Sequence, residues 1–269
     1  MKVALVQIGS PSTESKSERI QRAEDMLHDI PSADLIVFPE LWAPGYFYFD
    51  RYEENAEPLE GPVLGHARRW AKRLSAHVHV GSIIETRDGQ LYNTAILLDP
   101  SGDVVQVYRK IHVFGYQSRE AQLLTAGEMV TTTGTPFGRL SSTTCYDLRF
   151  PAVWEALVKE GTDMAIVPAA WPAARLHHWQ LFTSVRAVEN QIYVIACNAV
   201  GEQEGISLPG HSRVVDPWGD VLFEAGDEEG IYMCEVNPAL VEQVRREFPV
   251  LADRQKVGTG TSAIAEWSV

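Results

Sequence analysis

Three ionisable side chains of complementary chemistry each follow a strand-like run of the sequence. They are a carboxylate, an ammonium and a thiol: Glu40 beyond residues 34–39, Lys110 beyond residues 104–108, and Cys145 beyond residues 137–144. Open α/β sheets place their chemistry at the carboxyl ends of strands. A carboxylate moves protons, a thiol attacks electrophilic carbon, and an ammonium stabilises developing negative charge. The three residues are therefore candidates for one catalytic set.

Cys145 is the candidate nucleophile, since a helix-like segment opens shortly after it, at Pro151. A thiolate attacks an amide or nitrile carbon and forms a covalent intermediate. A free cysteine is only a few per cent ionised near neutral pH, so a nearby Lys110 would favour the thiolate. Glu40 could take the thiol proton, protonate departing ammonia and later activate water.

Each of these residues taken alone has a simpler interpretation. Most cysteines are small buried hydrophobic residues, and most lysines are solvated surface charges. A glutamate at a strand end can simply accept a hydrogen bond from a nearby amide. It is the presence of all three residue types in equivalent positions that favours catalysis.

The motifs around these residues resemble those of the nitrilase, or carbon–nitrogen hydrolase, superfamily. They are Phe38-Pro39-Glu40-Leu41, Tyr108-Arg109-Lys110-Ile111-His112 and Cys145-Tyr146-Asp147-Leu148-Arg149-Phe150-Pro151. Their order and spacing also match, and the resemblance extends from Val3 to about Phe248. It implies a Glu-Lys-Cys catalytic triad that works through a thioester on Cys145, without a cofactor.

The resemblance implies two supporting roles as well. The Lys110 ammonium and the backbone N–H of Tyr146 would stabilise the oxyanion, and losing one such donor typically costs roughly 3 kcal/mol. Family members carry a second glutamate seven residues before a glycine, and Glu120 with Gly127 fits that spacing. Glu120 would hold Lys110 or orient the substrate, and the nearby Glu128 is the alternative for this role.

Four residues are predicted to contact the substrate: Tyr146, Arg149, Trp171 and Arg175. Arginine binds carboxylates through a bidentate fork. Arg175 lies in a strand-end loop, residues 170–175, that should face the pocket, and we expect it to hold a substrate carboxylate. For Arg149 the favoured interpretation is a structural ion pair, for example with Asp147, and substrate binding is the alternative.

The segment from Arg175 through His178-Trp179-Gln180, together with residues 186–190, resembles the ω-amidase branch of the family. Those enzymes hydrolyse 2-oxoglutaramate or 2-oxosuccinamate. We therefore expect a small aliphatic amide as substrate, with the ω-amide of a 2-oxo acid favoured. A nitrilase or an N-carbamoyl amide hydrolase would use the same triad and stays open. A catalytically silent binding protein on this fold is the alternative from another class.

The histidines and the glycines predict no further site. His77 and His79 share one strand face, but no third metal ligand is evident in the sequence. His177 and His178 are adjacent and cannot face one metal together from a helix. There is no Gly-rich phosphate loop and no Gly-x-Ser-x-Gly elbow. The sequence thus predicts neither a metal nor a cofactor.

Composition narrows the class of protein. The chain has 269 residues, is 45% hydrophobic and carries a net charge of −13, without a basic stripe. This charge disfavours nucleic acid and anionic membranes as partners, so we expect a small molecule as partner and no membrane. The three cysteines are widely spaced, and no apolar run reaches the length of a signal peptide or membrane span. These features favour a reducing cytoplasm.

Hydrophobic periodicity predicts two similar halves. The first has strands at 3–8, 35–38, 77–84, 91–98 and 104–108, with helices at 15–30 and from Pro62. The second has strands at 137–144, 164–167 and 191–197, helices at 152–160 and 176–189, and then a meander of 211–216, 221–224 and 231–235. A last helix runs from Asn237-Pro238 to about residue 248, while 115–129 and 201–210 are irregular.

Two such halves predict two packed sheets with helices outside. The family resemblance implies the same α/β arrangement, a four-layer α-β-β-α sandwich. No linker divides the halves, so we expect a single domain over residues 1–269, with a core at about 3–248 and a tail at 251–269. The resemblance also implies a homodimer in which helices of the two subunits face each other. Ile264 and Trp267 could carry the tail across to the partner.

Overall fold

The computed structural model describes residues 1–255 of the chain. The first half contains β1 (Lys2–Gln7), α1 (Lys16–Met26), β2 (Leu35–Val37), α2 (Tyr52–Asn55), α3 (Pro62–Leu74), β3 (His77–Arg87), β4 (Gln90–Leu98) and β5 (Val104–Arg109). A short helix, α4 (Glu120–Leu123), follows. The second half contains β6 (Thr132–Thr135), β7 (Gly138–Ser142), α5 (Pro151–Lys159), β8 (Met164–Ala169), α6 (Leu176–Asn190), β9 (Tyr193–Asn198), β10 (Val200–Gln203), β11 (Ile206–Pro209), β12 (Arg213–Val215), β13 (Val221–Glu224), β14 (Gly230–Glu235) and α7 (Ala239–Glu247).

The strands form two six-stranded sheets that pack face to face. The first sheet has the order β14-β1-β2-β3-β4-β5 and the second has the order β13-β12-β9-β8-β7-β6. Apolar side chains of both sheets, among them Leu5, Val37, Ile166 and Ile195, fill the layer between them. Helices α1 and α3 cover the outside of the first sheet, and α5 and α6 cover the second. The predicted α-β-β-α sandwich is confirmed.

Local sequence explains where the helices begin. Ser15 and Glu18 form a capping box at the start of α1, in which each side chain accepts a bond from the other residue's backbone N–H. Pro62 occupies the first turn of α3, where a missing N–H is harmless. The prediction that α1 extends to Ile30 is wrong, because the helix ends at Met26. The residue before Pro31 is disfavoured in helical geometry, so the chain must leave the helix earlier.

The predicted meander is also wrong in its last strand. β12 pairs with β13 in the second sheet, but β14 crosses to the first sheet and pairs antiparallel with β1. The pattern of apolar residues predicts where the strands lie, but it does not predict which strands pair, because the edge strands of the two sheets are similar in character. Two further strand pairs were not predicted: β6 with β7, and the hairpin of β10 with β11 within the expected loop. Ile264 and Trp267 lie outside the described residues.

The polar strand before Cys145 is hydrogen-bonded across the two sheets. Ser142 on β7 donates to Oε1 of Gln106 on β5 at 2.6 Å, and its Oγ lies 2.9 Å from Nε2 of His79 on β3. The N–H of Gly81 donates to Nδ1 of His79, so this neutral ring carries its proton on Nε2. His79 is therefore a satisfied core residue, as its place on a sheet face predicts.

Candidate active site

The ends of three strands bring Glu40, Lys110 and Cys145 together. Glu40 follows β2, Lys110 follows β5 directly, and Cys145 follows β7. The Lys110 Nζ lies 2.8 Å from Glu40 Oε1, and the charges of both residues act on the pKa of the Cys145 thiol. Glu40 and Lys110 are each 1% exposed and Cys145 is 8% exposed. The sequence placed all three at strand ends, and the structure assembles them into one buried cluster.

Glu120 completes this cluster on the far side of Lys110. Its two carboxylate oxygens lie 2.9 and 3.0 Å from the Lys110 Nζ. The chain then returns so that Gly127 donates its N–H to the Lys110 carbonyl at 2.8 Å. A Cβ at Gly127 would lie only 2.1 Å from the Arg109 carbonyl oxygen, so the return requires glycine. The geometry favours Glu120 rather than Glu128 for the role of holding Lys110.

The Glu120 carboxylate is almost fully occupied by hydrogen-bond donors. Besides Lys110, its Oε2 accepts from the Tyr46 hydroxyl at 2.9 Å and from the Phe114 N–H at 2.6 Å. Donors on both of its oxygens hold this carboxylate in one orientation, with Lys110 against it.

Cys145 sits on a turn that another carboxylate fixes. Its φ is +45°, in the left-handed region, and it begins a short 3₁₀ turn, Cys145–Arg149. Asp147 in this turn accepts from the Tyr108 hydroxyl at 2.6 Å, and from the His112 N–H at 3.0 Å. Tyr108 and His112 flank Lys110 in the chain. Asp147 thus ties the thiol turn to the lysine strand.

A pocket of about 340 Å³ opens above the thiol. Aromatic side chains dominate its walls, and two arginines reach it. Its lining residues are Tyr46, Phe47, Phe114, Cys145, Tyr146, Arg149, Ala170, Trp171, Pro172 and Arg175. All four residues predicted from sequence to contact substrate are among them. A small ligand would therefore meet the thiol at one end and the two guanidinium groups nearby.

The expected ion pair between Arg149 and Asp147 is wrong. Asp147 bonds Tyr108 and His112, whereas the Arg149 guanidinium lies 4.7 Å from the Trp171 ring and 5.3 Å from the Phe182 ring. The sequence could not show this, because the partners of Asp147 come from a different strand. Arg149 faces the pocket instead.

Arg175 lies at the end of the Trp171 loop and lines the same pocket. Its guanidinium is 5.7 Å from the Phe114 ring, and its carbonyl accepts from the Trp171 indole N–H at 2.7 Å. Burial, and then the like charge of Arg175, lower the pKa of Arg149 below its usual range. The two guanidinium groups therefore repel each other across the pocket, an arrangement that an anionic ligand would relieve.

A model of the family described as carbon-nitrogen hydrolase matches residues 2–246 of the chain. The chain belongs to the carbon–nitrogen hydrolase family. It is therefore a hydrolase of carbon–nitrogen bonds, and the resemblance seen in its three motifs is confirmed.

Named relatives place this carbon–nitrogen hydrolase more finely. It is 39% identical to the 2-oxoglutaramate amidase of Paenarthrobacter nicotinovorans, over 94% of this chain and 89% of that protein. It is 32% identical to the omega-amidase NIT2 of Homo sapiens, over 95% and 94% of the two chains. The crystal structure of Saccharomyces cerevisiae Nit3, described as a member of branch 10 of the nitrilase superfamily, superposes with a TM-score of 0.82 at 31% identity, covering 93% and 94%.

The resting protonation of the hydrolase's cluster follows from burial and charge. Burial opposes the charge on Lys110, but the flanking carboxylates of Glu120 and Glu40 outweigh it and raise its pKa. Burial, and then the negative charge of Glu40, raise the pKa of Cys145, and Lys110 only partly offsets them. Lys110 thus favours the thiolate, the direction expected from its charge, but it does not outweigh burial and Glu40, and the sulfur keeps its proton at neutral pH.

Glu40 is poised to receive that proton. Burial raises its pKa, Lys110 lowers it, and the charge of Glu120 raises it again. Its second oxygen, Oε2, accepts from the Ala170 N–H at 3.0 Å. A carboxylate whose pKa is raised toward neutrality is an effective general base at neutral pH.

Sequence reasoning missed several residues of this site. Asn93 on β4 donates to Glu40 and Glu120, and the Ala170 N–H bonds Glu40. Tyr108 lies two residues before Lys110, on the same strand face, which is a signal that could have linked it to the cluster. Asn93 gave no such signal, because an asparagine in a strand is usually uninformative until its partners are known.

Residues 1–255 contain neither a candidate metal centre nor a candidate membrane-spanning helix. Across residues 1–255, no group of three or more His, Cys, Asp or Glu side chains is arranged to hold a metal ion. In the same part of the chain, no helix has the length and apolar character needed to cross a membrane.

Proposed function

We propose that this hydrolase cleaves a small aliphatic amide, favouring the ω-amide of a 2-oxo acid, to a carboxylate and ammonia. The observation that carries the proposal is the buried Cys145–Glu40–Lys110 cluster at the base of a pocket that also bears two guanidinium groups. The names of the relatives, 2-oxoglutaramate amidase and omega-amidase, agree with it.

The first half-reaction forms the covalent intermediate. Glu40 takes the thiol proton as the Cys145 sulfur attacks the amide carbon, so that an S–C bond replaces the S–H bond. The Lys110 ammonium and the Tyr146 N–H stabilise the resulting oxyanion. Glu40 then gives its proton to the departing nitrogen, the C–N bond breaks, and ammonia leaves a thioester on Cys145.

The second half-reaction hydrolyses the thioester. Glu40 takes a proton from water, the hydroxide attacks the thioester carbon, and the oxyanion forms at the same donors. Collapse breaks the S–C bond, the Glu40 proton returns to sulfur, and the released acid loses the second water proton to solvent to become the carboxylate. Glu120 keeps Lys110 charged and in place throughout, which its two short contacts with Nζ support.

We also propose that Arg175 holds the carboxylate of the substrate, with Arg149 adding positive charge in the same pocket. Both line the pocket, and neither forms a salt bridge within residues 1–255. A guanidinium that is free of carboxylate partners can bind a substrate carboxylate in a bidentate manner.

The test is ammonia release from 2-oxoglutaramate, 2-oxosuccinamate, propionamide, N-carbamoyl-β-alanine and a simple nitrile, with Cys145→Ala as control. We expect strong preference for the 2-oxo amides. Preference for propionamide would make the enzyme an aliphatic amidase. Silence on all five, with a Cys145 that alkylates as slowly as a model peptide cysteine, would favour a binding protein.

Arg175→Ala should lower kcat/KM for 2-oxoglutaramate by roughly 10- to 100-fold, as expected for a lost hydrogen bond to a charged group. The loss for propionamide should stay within about threefold, since that amide has no carboxylate to hold. Arg139→Ala, which changes an exposed arginine whose side chain bonds the Glu160 carbonyl, is the matched control. Equal losses on the two substrates would rule out the carboxylate contact.

We propose the domain organisation, the oligomeric state and the cellular location of the protein from three separate observations. A single domain is supported by β14, a strand late in the chain that pairs with β1 in the first sheet. A homodimer is implied by the family, and exposed apolar residues on α6, Leu181 and Val188, suit a helix–helix contact. A cytoplasmic location suits a thiol nucleophile, and all three cysteines are free.

A further inference from the structure

Asn93 lies at the centre of the charged cluster without belonging to the triad. It is on β4, is 1% exposed, and its backbone carbonyl accepts from the Lys110 N–H at 2.8 Å. Its side-chain Nδ2 donates to Glu40 Oε1 at 2.8 Å and to Glu120 Oε1 at 3.1 Å. One neutral amide therefore contacts both carboxylates and the backbone of the lysine that lies between them.

The orientation of this amide is unusual for a buried group. Its Oδ1 has no hydrogen-bond partner among the described residues, although a buried carbonyl oxygen normally has one. Flipping the amide would point Oδ1 at two carboxylates, so the observed orientation is the one that electrostatics allows. The unmet acceptor indicates that the donors of Asn93, rather than packing or fold stability, explain its presence.

The two oxygens of Glu40 consequently have different surroundings. Oε1 accepts from Asn93 and from Lys110, while Oε2 accepts from the Ala170 N–H. Ala170 lines the pocket together with Cys145, so Oε2, which accepts from the Ala170 N–H, is the oxygen on the side of the thiol. Two donors fill Oε1, and only Oε2 has room for an incoming proton.

We propose that Asn93 is a positioning residue that directs the proton of Cys145 onto Oε2 of Glu40. In this step the S–H bond breaks, an O–H bond forms at Oε2, and the electron pair stays on sulfur for the attack. Oε1 remains the carbonyl-type oxygen of the protonated carboxyl and keeps its bonds to Asn93 and Lys110. The proton is then held where the leaving nitrogen can collect it.

An amide suits this position better than a charged side chain. The cluster holds two carboxylates and one ammonium, so a second cation would bind Glu40 too firmly as an anion for it to act as a base. A third carboxylate would add repulsion and raise the pKa of Glu40 further. The neutral Asn93 amide supplies donors to both acids without changing the net charge.

The inference rests on the proposed Glu40–Lys110–Cys145 chemistry, and the experiment separates the two. Asn93→Leu removes both donors at similar volume, and Asn93→Asp keeps the shape but adds a carboxyl. Thr94→Val is the matched control, because Thr94 is the next residue on β4, equally buried, and bonds Glu85 instead. Glu40→Gln tests the triad itself.

Three readouts apply to each variant: kcat and KM for 2-oxoglutaramate, the pH profile of kcat/KM, and the rate of Cys145 alkylation by iodoacetamide between pH 5 and 9. Asn93→Leu should lower kcat roughly 10- to 100-fold with KM changed less than about threefold, since Asn93 does not line the pocket. Loss of the Asn93 donor raises the pKa of Glu40. The acid limbs of the kcat/KM profile and of the alkylation profile should therefore shift to higher pH by about one unit.

Asn93→Asp should move the acid limb up at least as far, and it keeps the experiment decisive should Asn93→Leu fail to fold. The inference is overturned by an unshifted acid limb in a folded Asn93 variant, by a loss confined to KM, or by the same changes in Thr94→Val. Full activity in Glu40→Gln would instead overturn the triad, a result that the alkylation profile shows without any amide substrate.

Discussion

At Cys145 the backbone adopts a conformation that a side chain disfavours. Its φ of +45° belongs to the left-handed region, which costs a non-glycine residue roughly 1–2 kcal/mol. The strained turn aims the thiol into the pocket while Asp147 holds the turn through Tyr108 and His112. A position that is strained for the sake of chemistry should become more stable when the chemistry is removed.

We therefore expect Cys145→Gly to be more stable than Cys145→Ala by about 1 kcal/mol, because only glycine adopts positive φ without strain. Chemical denaturation of the two inactive variants measures the difference. Cys197 in the middle of β9 supplies the control with the opposite sign, since glycine in a strand is less stable than alanine. Equal stability of Cys145→Gly and Cys145→Ala would show that the turn stores no strain.

At the scale of single residues, the sequence predicted the reacting groups but not the residues that hold them in place. Glu40, Lys110 and Cys145 carry motifs whose residue types are dictated by chemistry, so they could be recognised in order along the chain. The partner of Asp147 and the contacts of Asn93 depend on which strands become neighbours. Such pairings bring together residues 27 or more positions apart, which no local pattern encodes.

Among the elements, β7 is the one whose sequence departs most from an apolar core strand. Its Ser142 joins Gln106 and His79 of the first sheet through hydrogen bonds across the sandwich. These bonds align the strand that leads to the thiol with the strand that leads to the lysine. Burial lowers the pKa of His79 to about 3, so the ring stays neutral in the folded state.

This network makes stability dependent on pH. In the unfolded chain His79 binds a proton below about pH 6.5, and in the folded chain it does not until about pH 3. The stability contributed by neutral His79 is therefore fully present above pH 6.5 and is lost as the pH falls toward 3. The slope from this one residue approaches about 1.4 kcal/mol per pH unit.

His79→Gln should be less stable than wild type near pH 8, but the gap should narrow by roughly 1 kcal/mol between pH 6.5 and 5.5. Urea unfolding at a series of pH values measures it. His28→Gln is the control, since that imidazole is 77% exposed. A gap that stays constant with pH would show that His79 takes up its proton in the folded state as easily as in the unfolded one.

The elements themselves were largely predictable from hydrophobic period and capping residues. The exceptions are the end of α1, the short helices α2 and α4, the strand β6, the β10–β11 hairpin and the destination of β14. β6 is a threonine-rich edge strand without an apolar face. In the β10–β11 hairpin only one cross-strand pair is buried on both strands. Neither element therefore shows the alternation of apolar and polar residues that marks a strand.

On the scale of the whole molecule, one outer surface is unusually apolar. Leu181 and Val188, two turns apart on α6, are 48% and 44% exposed. Trp218 and Phe248 are exposed as well and stack on each other with ring centroids 6.3 Å apart. Val188 lies against Gly219, beside Trp218, so Val188, Trp218 and Phe248 form one apolar patch, with Leu181 two turns along α6. The proposed homodimer would cover it.

Val188→Glu should convert the dimer to monomer, because it places a charge in the apolar contact. Size-exclusion chromatography with light scattering at several protein concentrations measures this. Lys72→Glu, on the opposite helical layer, changes charge at another exposed position and should leave the dimer intact. A monomeric wild-type protein, or a dimer that withstands Val188→Glu, would contradict the proposed interface.

The pairing of β14 with β1 has a consequence for how the protein is made. β1 pairs along its whole length with residues 230–235, a segment synthesised more than two hundred residues later. Until residues 230–235 leave the ribosome, β1 presents an open edge to its surroundings. The first sheet of the nascent chain therefore stays incomplete until β14 has been synthesised. Chains truncated before β14 should be bound by chaperones and degraded by proteases, and should not fold to an active enzyme.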